Sequence, residues 1–120
     1  MKKILVIDDD QFFNKTLGAA LPAGKYTLLS AEDGEAGLKI LNEEKPDLIV
    51  LDLMMPKLNG FDVLTQLREG PKPRPRIIVL SGRGRERDVV RAFELGADDY
   101  MTKPFNPQEL MVRIARLIRV

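Results

Sequence analysis

The sequence predicts an α/β fold: a doubly wound, five-stranded parallel sheet with five helices. Three observations lead there. Short apolar runs rich in Val, Ile and Leu recur five times along the 120 residues. Segments of helical periodicity separate them. The runs are continuous rather than alternating, as expected of strands buried on both faces, and their short helical connections imply right-handed crossovers between parallel strands.

The first strand is "KILVID" (3–8), followed by a helix over about 11–21, with Gly24 placed for a left-handed turn after it. "YTLLSA" (26–31) is the second strand and 34–44 the second helix. "DLIVLD" (47–52) is the third strand. Pro56 stops it, "KLNG" (57–60) is turn chemistry, Asn59 can cap the third helix (60–69), and Gly60 lets the backbone pass close by. In "EGPKPRPR" (69–76), three prolines in five residues exclude helix or central strand, leaving an extended connector whose basic residues read as a solvated loop in preference to a binding patch. "RIIVLS" (76–81) is the fourth strand, and the fourth helix (84–95) ends before Gly96. "DYMTK" (99–103) is the fifth strand. In "NPQEL", Asn106 caps the last helix (107–119), Pro107 suits its first position and Glu109 completes a capping box.

Composition bounds the function. At 44% hydrophobic and 31% charged, residues 1–120 can form one domain with its own core. Lys plus Arg number 19 against 18 Asp plus Glu, and this balance leaves no electrostatic footprint for direct nucleic-acid binding or an anionic membrane. Without Cys or His, thiolate and imidazole sites are excluded, so carboxylates, lysines and hydroxyls must carry any chemistry. The apolar stretch Ile4–Ile7 is far too short for a signal peptide, so the expected location is cytoplasmic.

In an open parallel sheet, ligands bind at the carboxyl ends of the strands. Those ends carry Asp8, Asp9 and Asp10 on the first strand, Asp52 on the third, Ser81 on the fourth, and Thr102 with Lys103 on the fifth. Carboxylates gathered there repel one another and call for a cation. Mg²⁺ fits, because it takes a few oxygen ligands and keeps several waters. Asp9 and Asp52 could bind it directly, Asp8 directly or through water, and the Met54 backbone carbonyl could complete the protein's share. The alternative for "DDD" is an acidic helix start, although Asp10 alone suffices as the cap. Asp52 could be a turn former, Ser81 a turn hydroxyl and Lys103 a surface lysine. Together they match phosphoryl transfer: a carboxylate to attack phosphorus, a metal between charged oxygens, and a lysine and hydroxyl for the rest. Met54 and Met55 are adaptable apolar packing.

These residues resemble, over essentially the whole chain, a receiver domain of the two-component response regulators. "ILVIDDD" resembles the family's first strand and acidic pair, "PDLIVLDLMMPKLNGFDVL" its phosphoacceptor segment, "IIVLSG" its Ser or Thr position, and "GADDYMTKPF" its lysine, proline and aromatic switch. The resemblance implies a flavodoxin-like strand order, 2-1-3-4-5. It also implies a phosphoacceptor that assists its own phosphorylation and dephosphorylation without being an enzyme in its own right. A sensor histidine kinase would donate a phosphoryl group to Asp52 in a Mg²⁺-dependent step. Ser81 would then move toward the phosphoryl oxygen, Tyr100 would rotate inward, and Lys103 would pair with the phosphorylated acid. A cis bond between Lys103 and Pro104 is expected on the same ground. Gly82 departs from the family's more usual Ala, which suggests a looser loop. Arg83 and Met54, each two residues from a key position, would border the phosphoryl group and tune its hydrolysis.

The C-terminal segment also resembles the winged-helix transcription-factor branch, whose phosphorylated receivers pair through the fourth helix, fifth strand and fifth helix. A homodimer would then use Arg91, Asp98, Asp99, Glu109, Arg113 and Arg116, although the same charges could simply solvate and support the helices. This branch leans toward a receiver cut from a longer chain. Three rivals are weaker. A haloacid-dehalogenase-like phosphatase needs D-x-D-x-T, which Phe12 breaks; an FMN carrier needs a phosphate cradle where three carboxylates stand. A receiver acting by contact alone would not need the complete site.

Overall fold

Alternate residues of the strands feed two separate cores, one on each face of the sheet. In a computed structural model, which describes residues 1–22, 24–55, 58–82 and 85–119, the strands are β1 (Lys2–Ile7), β2 (Tyr26–Ala31), β3 (Leu48–Leu51), β4 (Arg76–Ser81) and β5 (Asp99–Thr102). The helices are α1 (Gln11–Ala20), α2 (Gly34–Glu44), α3 (Gly60–Glu69), α4 (Glu86–Glu94) and α5 (Pro107–Leu117). All strand pairs are parallel, in the order β2-β1-β3-β4-β5, as expected.

Leu5, Ile7, Ile49, Leu51, Ile77 and Val79 point to one face and meet Val63, Leu64 and Leu67 of α3 and Ala92 of α4. Ile4, Val6, Leu48, Val50, Ile78 and Leu80 point to the other and meet Phe13 and Leu17 of α1 and Leu110 and Ile114 of α5. Period-two side-chain alternation, combined with apolar residues at every position, makes a strand serve both faces. The exception is β2, an edge strand that is only partly buried along most of its length.

The helix ends follow local chemistry. Asp10, Asp33, Asn59 and Asn106 cap α1, α2, α3 and α5 with side-chain oxygens that accept backbone N–H bonds. Glu109 departs from the expected capping box: its Oε1 turns forward and accepts from Arg113 Nη2 at 2.8 Å. The ion pair one turn on, reinforced by Asp99, outcompetes the reach back to the cap. Arg85 stands at the N-cap of α4 with no side-chain cap hydrogen bond, and residue 84, where the expected helix begins, lies outside the described residues. Gly24 and Gly96 have φ of +80° and +109°, where an L side chain is strained. Residues 70–75 form neither helix nor strand.

Candidate functional site

Strands β1, β3 and β5 end one residue before Asp8, Asp52 and Lys103, yet the ladder holds those residues too. Asp8 N donates to Ala31 O at 3.0 Å, Asp52 N to Ile7 O at 3.0 Å and Lys103 N to Ser81 O at 2.8 Å. Each residue is therefore pinned by a neighbouring strand while its side chain leaves the sheet at the carboxyl edge. Gly60 completes the arrangement, because a Cβ there would lie 2.7 Å from Asp52 O and 2.6 Å from Leu53 Cα.

Asp8, Asp9 and Asp52 each present a carboxylate oxygen, all within 4.8 Å of one another. Asp8 and Asp52 are buried at 1% and 5% exposure, whereas Asp9 faces solvent. Asp10 turns away to cap α1, so the acidic run divides into one cap and one pair aimed at the site. Lys103 Nζ donates to Asp8 Oδ2 at 2.8 Å and stands 3.8 Å from Asp52 Oδ2. The Lys103–Pro104 peptide is cis, as expected.

Electrostatics follow from this crowding. Burial pushes the Asp52 carboxyl up from 3.8 to about 6; the Met54 N–H, 3.1 Å from Oδ1, and the Lys103 charge pull it down, while Asp8 and Asp9 push it up further. Burial would lower the pKa of Lys103, but its hydrogen bond to Asp8 and the charges of Asp52, Asp8 and Asp10 outweigh it, so the ammonium is held above its usual value. Three hard oxygen donors with one partial counter-charge, and one donor open to water, suit a hard divalent cation.

Ser81 is fully buried at the end of β4, and Tyr100 on β5 is partly buried against the first core. Met55 packs in that core, as expected, but Met54 is exposed. Arg83 lies outside the described residues. Phe13 carried no signal beyond an apolar position in the first turn of α1, yet Lys103 Nζ lies 5.1 Å over its ring. An aromatic one turn past the acidic run, together with a second one after Lys103-Pro104, is the pattern that could have found it.

The family model described as "Response regulator receiver domain" matches residues 4–115. The chain belongs to this family. The receiver is 48% identical over 118 residues to the alkaline phosphatase synthesis transcriptional regulatory protein PhoP of Bacillus subtilis (strain 168), covering 98% of this chain and 49% of that protein. It is 44% identical over 119 residues to the transcriptional regulatory protein CpxR of Escherichia coli (strain K12), covering 99% and 50%. A response-regulator signal receiver domain from Bermanella marisrubri has the same fold at TM-score 0.87 and 36% identity, with 96% of each chain covered. The receiver spans about half the length of the curated relatives it matches.

Six charged residues of α4, α5 and the start of β5, namely Arg91, Asp98, Asp99, Glu109, Arg113 and Arg116, make contacts within this receiver. Arg113 Nη1 donates to both oxygens of Asp99, at 2.7 and 2.8 Å, and Arg116 Nη2 reaches the same carboxylate at 3.5 Å. Asp98 accepts from Arg76 and from the Ile77 N–H, while Arg91 stacks over Phe61 at 4.2 Å. A methyl at Gly82 would meet nothing within 4 Å among the described residues, so those residues leave room for an Ala there. No helix among the described residues is long and apolar enough to cross a membrane.

Proposed function

We propose that residues 1–120 act as one phosphoacceptor unit, in which a sensor histidine kinase transfers a phosphoryl group to Asp52. The observation that carries this reading is the buried Asp52 carboxylate, set at an open sheet edge beside Asp8, Asp9 and Lys103. An Asp52 oxygen attacks phosphorus, a P–O bond forms, and the P–N bond to the donor imidazole breaks with its electron pair returning to nitrogen. With a pKa of about 6, Asp52 is mostly ionised at neutral pH and available for that attack. Lys103 balances charge on the phosphoryl oxygens, and the Ser81 hydroxyl donates to one of them. Mg²⁺ would be held by Asp8, Asp9, Asp52 and the Met54 carbonyl, and would neutralise the transferring oxygens. Tyr100 then turns inward as Ser81 moves, coupling the acceptor to β5.

The output is read through α4, β5 and α5. Phosphorylated copies pair there through Arg91, Asp98, Asp99, Glu109, Arg113 and Arg116, and the two regulators named above support transcription control as the response. Intact-mass measurement after incubation with acetyl phosphate and Mg²⁺ tests the central step. One added phosphoryl group, lost in Asp52→Asn, is expected; equal labelling of Asp52→Asn would refute it.

A further inference from the structure

We propose that Phe13 is a positioning residue for Lys103: its ring, braced edge-on by Phe105, seats the ammonium and fixes its reach toward Asp8 and Asp52. This rests on the role proposed above for Lys103.

The geometry is a chain of three contacts. Phe13 is buried at 4% exposure in the first turn of α1, and its ring lies 5.1 Å from that of Phe105 at an interplanar angle of 85°. An edge-to-face pair at this separation is a favourable arrangement of ring quadrupoles, so Phe105 sets which way the Phe13 face points. That face receives Lys103 Nζ at 5.1 Å from the centroid, within the range of about 6 Å for a cation–π attraction. Phe105 lies two residues beyond Lys103, so the loop after β5 supplies both the cation and the brace for its seat.

A lysine needs such a seat. Its ammonium rides on a flexible four-carbon stem and carries three donors, with no plane to fix their direction. Here one donor is spent on Asp8 Oδ2 at 2.8 Å, and Asp52 Oδ2 at 3.8 Å is beyond direct hydrogen bonding. Asp8 alone would leave the ammonium free to swing about that single bond. The Phe13 face closes off one side and leaves the remaining donors directed at Asp52 and any oxyanion built on it. A leucine at position 13 fills similar space but offers no quadrupole, which separates seating from packing.

Two measurements on the 120-residue protein test this. In the NMR spectrum of the metal-free protein, the Lys103 ε-methylene protons are expected upfield of ordinary lysine values through the ring current, returning to them in Phe13→Leu. Replacing the residue at position 13 by phenylalanines with successively more ring fluorines keeps its shape and drains its face. Labelling by acetyl phosphate at saturating Mg²⁺ is expected to slow steadily, by about three- to tenfold across the series. A flat rate across the series, or Lys103 resonances unmoved in Phe13→Leu, overturns the proposal; if Phe13→Leu does not fold, the fluorinated series decides. Should the parent protein take no phosphoryl group, the proposed function falls, while the resonances still decide the seat.

Discussion

Lys103 donates to Asp8 at 2.8 Å while standing 3.8 Å from Asp52. The lysine is thus committed to an acid that, on the proposed function, a cation would also claim, so metal and ammonium would compete for Asp8. Removing the ammonium in Lys103→Met is expected to tighten Mg²⁺ binding by about three- to tenfold, measured by calorimetry, while slowing phosphorylation by acetyl phosphate. Weaker Mg²⁺ binding in the variant would refute the competition.

Asp52 predicts a pH dependence of stability. Its folded pKa, about 6, lies above its ordinary 3.8, so between these values the folded protein holds more proton than the unfolded chain. Its contribution to stability is therefore greatest below pH 3.8 and is lost as pH rises through 6. At about 1.4 kcal/mol per tenfold change in protonation, ionised Asp52 costs the metal-free fold on the order of 3 kcal/mol. Urea unfolding in EDTA at pH 7 should show Asp52→Asn more stable than the parent, with the gap narrowing toward pH 4 and on adding Mg²⁺.

Gly60 ties the acceptor loop to α3. With Asp52 O only 2.7 Å from where a Cβ would sit, Gly60→Ala must push the loop or the helix away. The expected cost is about 1–3 kcal/mol of stability. Because the displaced backbone belongs to the proposed acceptor, Asp52, the phosphorylation rate should fall by at least about tenfold. Gly82→Ala, which meets no atom within 4 Å among the described residues, is the matched control and should retain near-parent stability.

Arg113 and Arg116 separate internal support from pairing between copies. Asp99 is buried at 6% exposure and held by Arg113 through both oxygens, so Arg113→Ala should cost about 1–3 kcal/mol by leaving that charge poorly paired. Arg116 has a side chain 65% exposed and makes only a 3.5 Å contact, so Arg116→Glu should spare the monomer. Sedimentation with a phosphoryl mimic should then show impaired dimerisation in Arg116→Glu. An unimpaired dimer would remove this arginine from the interface.

The sheet was legible because Val, Ile and Leu runs of strand length have few other uses, and the reactive ends followed from where those runs stop. The expected order already put "YTLLSA" at an edge, but the partial exposure of most of its residues could not be read from its composition, which is that of a strand like the others. Asp8, Asp9, Asp52 and Lys103 were visible as residue types at strand ends. That Lys103 prefers Asp8 depends on ångström differences between segments 95 residues apart. Glu109 shows two local rules in conflict: capping box and i,i+4 ion pair both fit the sequence, and Asp99, from another element, tips the choice by fixing Arg113. Asp88, in the first turn of α4, is buried and its Oδ2 has no partner among the described residues, an outcome no pattern in the sequence signalled.

The three backbone bonds that extend the ladder into Asp8, Asp52 and Lys103 have a kinetic consequence. Those amides should exchange with solvent deuterium only on opening of the sheet itself, while amides in the adjoining loops exchange through small local excursions. The three residues would then move only with the sheet that holds them. A lineage could retune the lifetime of the signal by rewriting loops, without ever moving the atoms that carry it.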